Sequence, residues 1–187
     1  MNGYHLFETA HGHAAIGWNA HGVTCFRLPA GTGDESRRSL LRRLPDAIET
    51  QPSGRVAALV DAARRYFAGE RVEFADAPLD LGPQEPLFAS IYDLVRRLGW
   101  GETTTYGTIA KAVDAGPEVA RDVGQAIARN PIPLFVPCHR VLAAGGKIGG
   151  FSAPGGADAK ARMLAMEGSL PAPAVPAASA GQASFGF

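Results

Sequence analysis

The chain has 187 residues, 46% of them hydrophobic and 19% charged, with 18 Lys/Arg balancing 18 Asp/Glu. That size accommodates one large or two small domains around a real core, and the composition is that of a soluble globular protein, not a disordered or fibrous one. No stretch approaches the roughly 20 apolar residues of a membrane span, and the start MNGYHLFETAHGH is too polar for a signal peptide. A cytoplasmic protein without membrane contact is expected. Zero net charge argues against a strongly basic nucleic-acid binder, but the balance is uneven: residues 1–86 hold 9 Lys/Arg against 11 Asp/Glu, and residues 87–187 hold 9 against 7. The two cysteines, Cys25 and Cys138, lie far apart, and a cytoplasmic setting leaves little use for a disulfide.

In chain order, YHLFET, AAIGW and VTCFRL are short runs rich in aromatic and β-branched residues. His11-Gly12-His13 and Asn19-Ala20-His21-Gly22 separate them with turn chemistry, which predicts three antiparallel strands. DESRRSLLRRLPDAIET is helical in tone but interrupted by Pro45. Ser53 is placed to cap a helix in which Val56, Leu59, Val60, Ala63 and Phe67 recur at helical spacing before Gly69. RVEFADAPLDLG reads as a return strand leading into a linker with Pro83 and Pro86. Beyond it, Leu87, Ile91, Leu94, Val95 and Leu98 form one helical stripe that Gly99 stops.

Thr105 is a plausible N-cap for a short helix through Ile109 and Val113. Gly116-Pro117 then breaks the chain before a second helix, Glu118 to Arg129, closed by Asn130-Pro131. Two short helices across a glycine turn are the pattern of a helix-turn-helix. In the second, Val119, Val123 and Ile127 form a core stripe, and Arg121, Gly124, Gln125 and Ala128 share the opposite side. That small-residue face is either a solvated surface or one that comes close to a partner's backbone. After PCHRV come Gly145-Gly146 and Gly149-Gly150, then a last helix, Ala157 to Glu167, with Gly168 at its end. Residues 169–187 are Ala/Pro/Ser-rich and are expected to be disordered.

Chemistry concentrates at FVPCHRVLAAGG. A thiol attacks as thiolate, so a catalytic cysteine needs a base or a positive field nearby. His139 is adjacent, but neighbouring side chains on an extended strand point to opposite faces, so direct contact with Cys138 requires a bend or a bridging water. Pro137 and the following glycines permit a bend. On chemistry alone Cys138 remains either a nucleophile or an ordinary buried thiol. Cys25, alternating within a strand, reads as core. His5, His11, His13, His21 and Cys25 do not combine into a zinc site, because successive hairpin turns put His11/His13 and His21 on the order of 20 Å apart. No metal is expected.

The run PCHRV at 137–141, with Asn130-Pro131, YGTIA at 106–110 and ARDVGQA at 120–126 upstream, and Lys160 through Glu167-Gly168 downstream, resembles the O6-alkylguanine-DNA alkyltransferases, the methylated-DNA–protein-cysteine methyltransferases. The likeness covers residues 4 to about 168; the active-site signature is specific, while the N-terminal part is similar in layout. It implies an α/β (α+β) fold, with an N-terminal RNase H-like antiparallel-sheet domain over 1–82. A helical, winged helix-turn-helix-like catalytic domain over 83–168 and a tail over 169–187 would follow. By this resemblance Cys138 is the alkyl acceptor, His139 its base through a water, and Glu167 the group that orients His139, a relay with the logic of a hydrolase triad. Tyr106 reaches the flipped guanine, Arg121 fills the gap left in the base stack, and Gly124, Gln125 and Ala128 lie along the DNA minor groove. Asn130 and Arg140 brace the reactive segment, and Val141, Phe151 and Ser152 line the base pocket.

The implied reaction is a single-turnover repair of O6-alkylguanine, with O4-alkylthymine a further candidate, by a monomer that needs no cofactor. Three departures stand out. Asp122 puts a negative charge near the expected phosphate track, Phe151 replaces the usual tyrosine, and the 151–160 loop is longer than the common one. Two rival readings are a non-catalytic lesion-binding protein that recruits other repair factors, and a cysteine hydrolase, which leaves the helix-turn-helix unexplained. In the tail, Gln182, Phe185 and Phe187 resemble a peptide that docks on bacterial sliding clamps, and contact with such a clamp is expected on that ground.

Overall fold

A computed structural model describes residues 1–113 and 119–170. Its first half is built on a meander: β1 (Gly3–Thr9), β2 (Gly12–Trp18) and β3 (Val23–Arg27) pair antiparallel, and the two-residue β4 (Ile48–Glu49) adds in parallel to β1, giving the order β3-β2-β1-β4. The first turn uses Gly12 at φ 110. In the second, Asn19 Oδ1 accepts from His21 N at 2.8 Å and Gly22 N at 3.2 Å, the side-chain turn that asparagine makes readily.

Helix α1 (Gly33–Leu41) starts at Thr32, whose hydroxyl accepts from Glu35 N while the Glu35 carboxylate accepts from Thr32 N at 2.7 Å. This reciprocal cap is legible as Thr32-x-x-Glu35, and it sets the start one residue earlier than the run from Asp34 implies. Helix α2 (Gly54–Phe67) follows the expected stripe, but Ser53 makes no side-chain cap; its carbonyl instead accepts from Val56 N and Ala57 N. The predicted return strand over 71–82 does not form. Only Leu79 bridges to Val23, while Val72, Phe74 and Ala77 are buried from an irregular, proline-interrupted segment.

In the second half, α3 (Pro86–Arg96) carries proline at its first turn, where the missing N–H costs nothing. Its buried face is Phe88, Ile91, Tyr92 and Val95; of the expected stripe Ile91 and Val95 are buried, and Leu87, Leu94 and Leu98 are half-buried. The buried Tyr92 hydroxyl donates to Ala126 O at 2.8 Å, which satisfies its polar atom inside the core. Thr105 caps α4 (Tyr106–Ala112) by accepting from Thr108 N at 3.1 Å, as expected. α5 (Val119–Arg129) packs on α3 and α4 through Val123, Ala126 and Ile127. The expected Gly116-Pro117 break lies outside the described residues.

The two-residue strands β5 (Thr104–Thr105) and β6 (Val141–Leu142) pair in parallel, and α6 (Gly156–Met166) closes the fold. The main core draws on both sides of residue 82: Phe135 lies 5.2 Å from Phe26 and 4.9 Å from Phe74 between ring centroids, and Phe26 N donates to Pro131 O at 3.0 Å. No described helix is long and apolar enough to cross a membrane. The mixed α/β architecture is the expected one.

Candidate active site at Cys138

Residues 130–142 form an irregular segment pinned from every side. Asn130, nearly buried, donates through Nδ2 to Val136 O at 2.8 Å and accepts at Oδ1 from Ile132 N at 3.0 Å. One side chain thereby closes a loop whose main-chain groups could not otherwise be satisfied away from water. Inside it Leu134 adopts φ 79, a left-handed conformation costly for a branched side chain and held here by its burial in the main core. The chain then enters a single 3-10 turn, Cys138–Arg140, a bend of the kind that Pro137 and the following glycines permit. With three residues per turn, successive side chains diverge by roughly 120° instead of 180°, so Cys138 and His139 need not face opposite ways.

Three side chains from this turn and its surroundings converge on one carboxylate. Glu167, at the C-cap of α6, accepts at Oε1 from His139 Nε2 at 2.8 Å and from Arg140 Nη2 at 3.0 Å, and at Oε2 from Arg140 Nε at 2.9 Å. Arg140 Nη1 also donates to Leu98 O, tying the site to the end of α3. The third donor is Tyr66 of α2, whose Oη–H donates to the same Oε1 at 2.7 Å and lies 3.4 Å from His139 Nε2. His139 is 0% exposed, and Glu167 and Arg140 are each 4% exposed.

Burial by itself would raise the Glu167 pKa, but the hydrogen bonds from His139 and Arg140 and their charges outweigh it and hold the carboxyl at about 2. An ionised carboxylate can only accept, so His139 Nε2 carries the hydrogen and Nδ1 is the lone-pair nitrogen. Burial also pushes the His139 pKa down, against the pull of Glu167. The neutral imidazole is thus the resting form at neutral pH, with a buried Nδ1 that has no hydrogen-bond partner among the described residues. This is a base held in one tautomer and one orientation.

Cys138 is 3% exposed, and burial raises its pKa; an Asn130 hydrogen bond and the Lys160 charge act the other way. Lys160 is fully buried, donates to Val141 O, and stands 5.8 Å from the Tyr106 ring centroid and 5.7 Å from that of Phe151. Cys138 lines a cavity of about 510 Å³ with Ile127, Phe151 and Ser152. A second cavity of about 460 Å³, lined by Tyr106, Gly124, Ala128, Phe151 and Ser152, opens beside it. Ser152 Oγ donates to Ala128 O at 2.9 Å, on residues that border both.

The residues read from the sequence therefore fall into three groups. Cys138, His139, Arg140, Glu167 and Asn130 come together in the interior, joined by Val141 through its carbonyl. Tyr106, Phe151 and Ser152 rim the cavities. Arg121, Gln125 and Ala128 lie exposed on one face of α5, and a Cβ built on the half-buried Gly124 would meet nothing within 4 Å. Gln182, Phe185 and Phe187, and the tail expected to be disordered, lie outside the described residues but for its first two positions. Two contributors went unread: Tyr66, which shares the helical stripe of α2 but gives no sign of a partner 101 positions away, and Lys160, whose role depends on burial.

A family model described as "6-O-methylguanine DNA methyltransferase, DNA binding domain" matches residues 86–169. The chain is 44% identical over 105 residues to a methylated-DNA–protein-cysteine methyltransferase of Metallosphaera sedula, covering 56% of this chain and 63%, just under two thirds, of that relative. It is 42% identical over 111 residues to the protein of that name from Methanopyrus kandleri, covering 57% of this chain and 76% of the relative. In three dimensions it matches the Mycobacterium tuberculosis OGT crystallised in complex with DNA, at TM-score 0.71 and 31% identity over 90% of this chain and 95% of the other. With that likeness added to the Pro-Cys-His-Arg turn and its buried glutamate, the chain belongs to the methylated-DNA–protein-cysteine methyltransferase family.

Proposed function

We propose that the protein repairs O6-alkylguanine in duplex DNA by one irreversible transfer of the alkyl group to Cys138. The observation that carries this reading is the His139 imidazole: its Nε2–H is committed to an ionised Glu167, leaving Nδ1 as a buried acceptor one residue from the thiol. The thiol proton passes to Nδ1 through a bridging water, the sulfur attacks the alkyl carbon, the carbon–O6 bond breaks, and guanine leaves with the proton. The product is an S-alkyl thioether, which water does not hydrolyse under physiological conditions, so each molecule acts once and no cofactor is consumed. Lys160, the buried cation beside the thiol, favours the thiolate.

The nucleotide must leave the stack before its O6 atom can meet a buried sulfur. Tyr106, at the mouth of the second cavity, is suited to guide it; Arg121, exposed on α5, fills the space left behind. The short side chains along Gly124 and Ala128 suit approach to the minor groove, with Gln125 beside them, and the complex of the M. tuberculosis neighbour with DNA supports a DNA partner. We also propose a cytoplasmic monomer over two domains, 1–82 and 83–168. Contact with a sliding clamp through Gln182, Phe185 and Phe187 is tested by deleting residues 182–187 and measuring clamp affinity.

Intact-mass measurement after incubation with an O6-methylguanine duplex tests the main reading. A single stable methyl increment on Cys138 is expected, and none with Cys138→Ser. Binding of the lesion without any increment would instead support the non-catalytic reading.

A further inference from the structure

The wall of the 510 Å³ cavity opposite Ile127 and Phe151 comes from the first half of the chain, where Arg27, Arg42 and Arg43 line it. Between residues 27 and 43 five arginines accompany only two carboxylates, Asp34 and Glu35. Both carboxylates are engaged elsewhere. Asp34, with Glu49, neutralises Arg37 at 2.9 and 3.2 Å, and Glu35 completes the Thr32 cap. The arginines facing the cavity have no ion-pair partner among the described residues, whereas Arg37, inside α1 and turned to the sheet, has two. Arg27 is half-buried at the end of β3, and its Nε is enclosed without an acceptor among the described residues. A guanidinium N–H taken from water and left without an acceptor is unfavourable, and the like charges of Arg43 and Arg42 nearby add to that. An anion in the cavity would remove both penalties, and a guanidinium fork binds an oxyanion in two-pronged geometry.

We infer that the cavity beside Cys138 is an anion subsite, with Arg27, Arg42 and Arg43 receiving an oxyanion that the substrate carries. The inference rests on the alkyl-transfer reading and refines the substrate. The oxyanion is either the phosphodiester flanking the flipped nucleotide or a carboxylate at the end of the O6-alkyl group. In the second case the bond from O6 to the alkyl carbon breaks, the sulfur–carbon bond forms, and the carboxylate stays on the transferred group without changing charge.

The experiment compares wild type with Arg27→Gln and with the double variant Arg42→Gln/Arg43→Gln on three substrates: free O6-benzylguanine base, an O6-methylguanine duplex and an O6-carboxymethylguanine duplex. Free base carries neither oxyanion, so its rate is expected to stay within about twofold, while a duplex rate falls by about tenfold or more, the scale of one lost hydrogen bond between charged groups. If both duplexes fall together and their salt dependence flattens, the oxyanion is the phosphodiester. If only the carboxymethyl duplex falls, it is the carboxylate. Unchanged duplex rates, or an equal fall on free base, overturn the subsite. Should the wild type transfer nothing to Cys138, the repair reading fails instead. Duplex affinities of the same proteins then decide: a fall of about tenfold or more on one or both duplexes supports the subsite, and equal affinities overturn it.

Discussion

Tyr66→Phe removes one oxygen from the interior of the site and nothing else. The Glu167 Oε1 atom now accepts from Tyr66 at 2.7 Å, His139 at 2.8 Å and Arg140 at 3.0 Å. Two donors remain after the substitution, so the carboxylate is not orphaned, and the ring still fills its place against Phe67, Phe74 and Trp100. The loss therefore falls at the low end for a hydrogen bond to a charged group, about 1.5 kcal/mol. For a chain of this length that lowers the melting midpoint by roughly 3–6 °C. The change also has an electronic sign. A carboxylate with one donor fewer is more basic, holds the His139 Nε2–H more tightly and makes the imidazole easier to protonate. The acid limb of the alkyl-transfer rate should move to higher pH, read from single-turnover time courses at a series of pH values with excess O6-methylguanine duplex. A packing role alone would lower the midpoint and leave that limb where it is. A pH profile superimposable on wild type would refute the coupling through Glu167.

Three further outcomes follow from the geometry. Glu167 has its folded pKa at about 2 against an ordinary 4.5, so its stabilisation, about 3 kcal/mol, is present above the ordinary value and is lost as pH falls from there toward the folded one. Chemical denaturation between pH 6 and pH 2 should show that loss, and Glu167→Gln, which strands the Arg140 charge, should cost about 3–5 kcal/mol at neutral pH. Gly124→Leu places its side chain in open space on α5, so the melting midpoint should hold or rise, since leucine is roughly 0.8 kcal/mol better than glycine inside a helix. Duplex affinity in a gel-shift titration should nevertheless fall, because the new side chain occupies the face proposed for the groove. Asp122→Asn should tighten duplex binding by about two- to fivefold at low salt, an effect that fades as salt screens it.

What the sequence by itself determined is whatever depends on neighbours along the chain. The three strands, the Thr105 cap and the two-faced helix ending at Arg129 are written in local spacing, because backbone geometry has short periods and a turn or cap needs only three or four residues. Resemblance extended that to Glu167 and Asn130. Tertiary structure alone decided the rest. It kept 71–82 irregular, since burying Val72, Phe74 and Ala77 outweighs a ladder that Pro78 interrupts, and it folded Cys138 into a 3-10 turn instead of a strand. Packing brought Tyr66 onto a glutamate 101 positions away and buried Lys160 beside the thiol. It also turned three arginines of a net-acidic half toward the reactive cavity. Charge and hydrogen bonding act through space, and the strength of each contact depends on how completely water is excluded, which no spacing along the chain encodes.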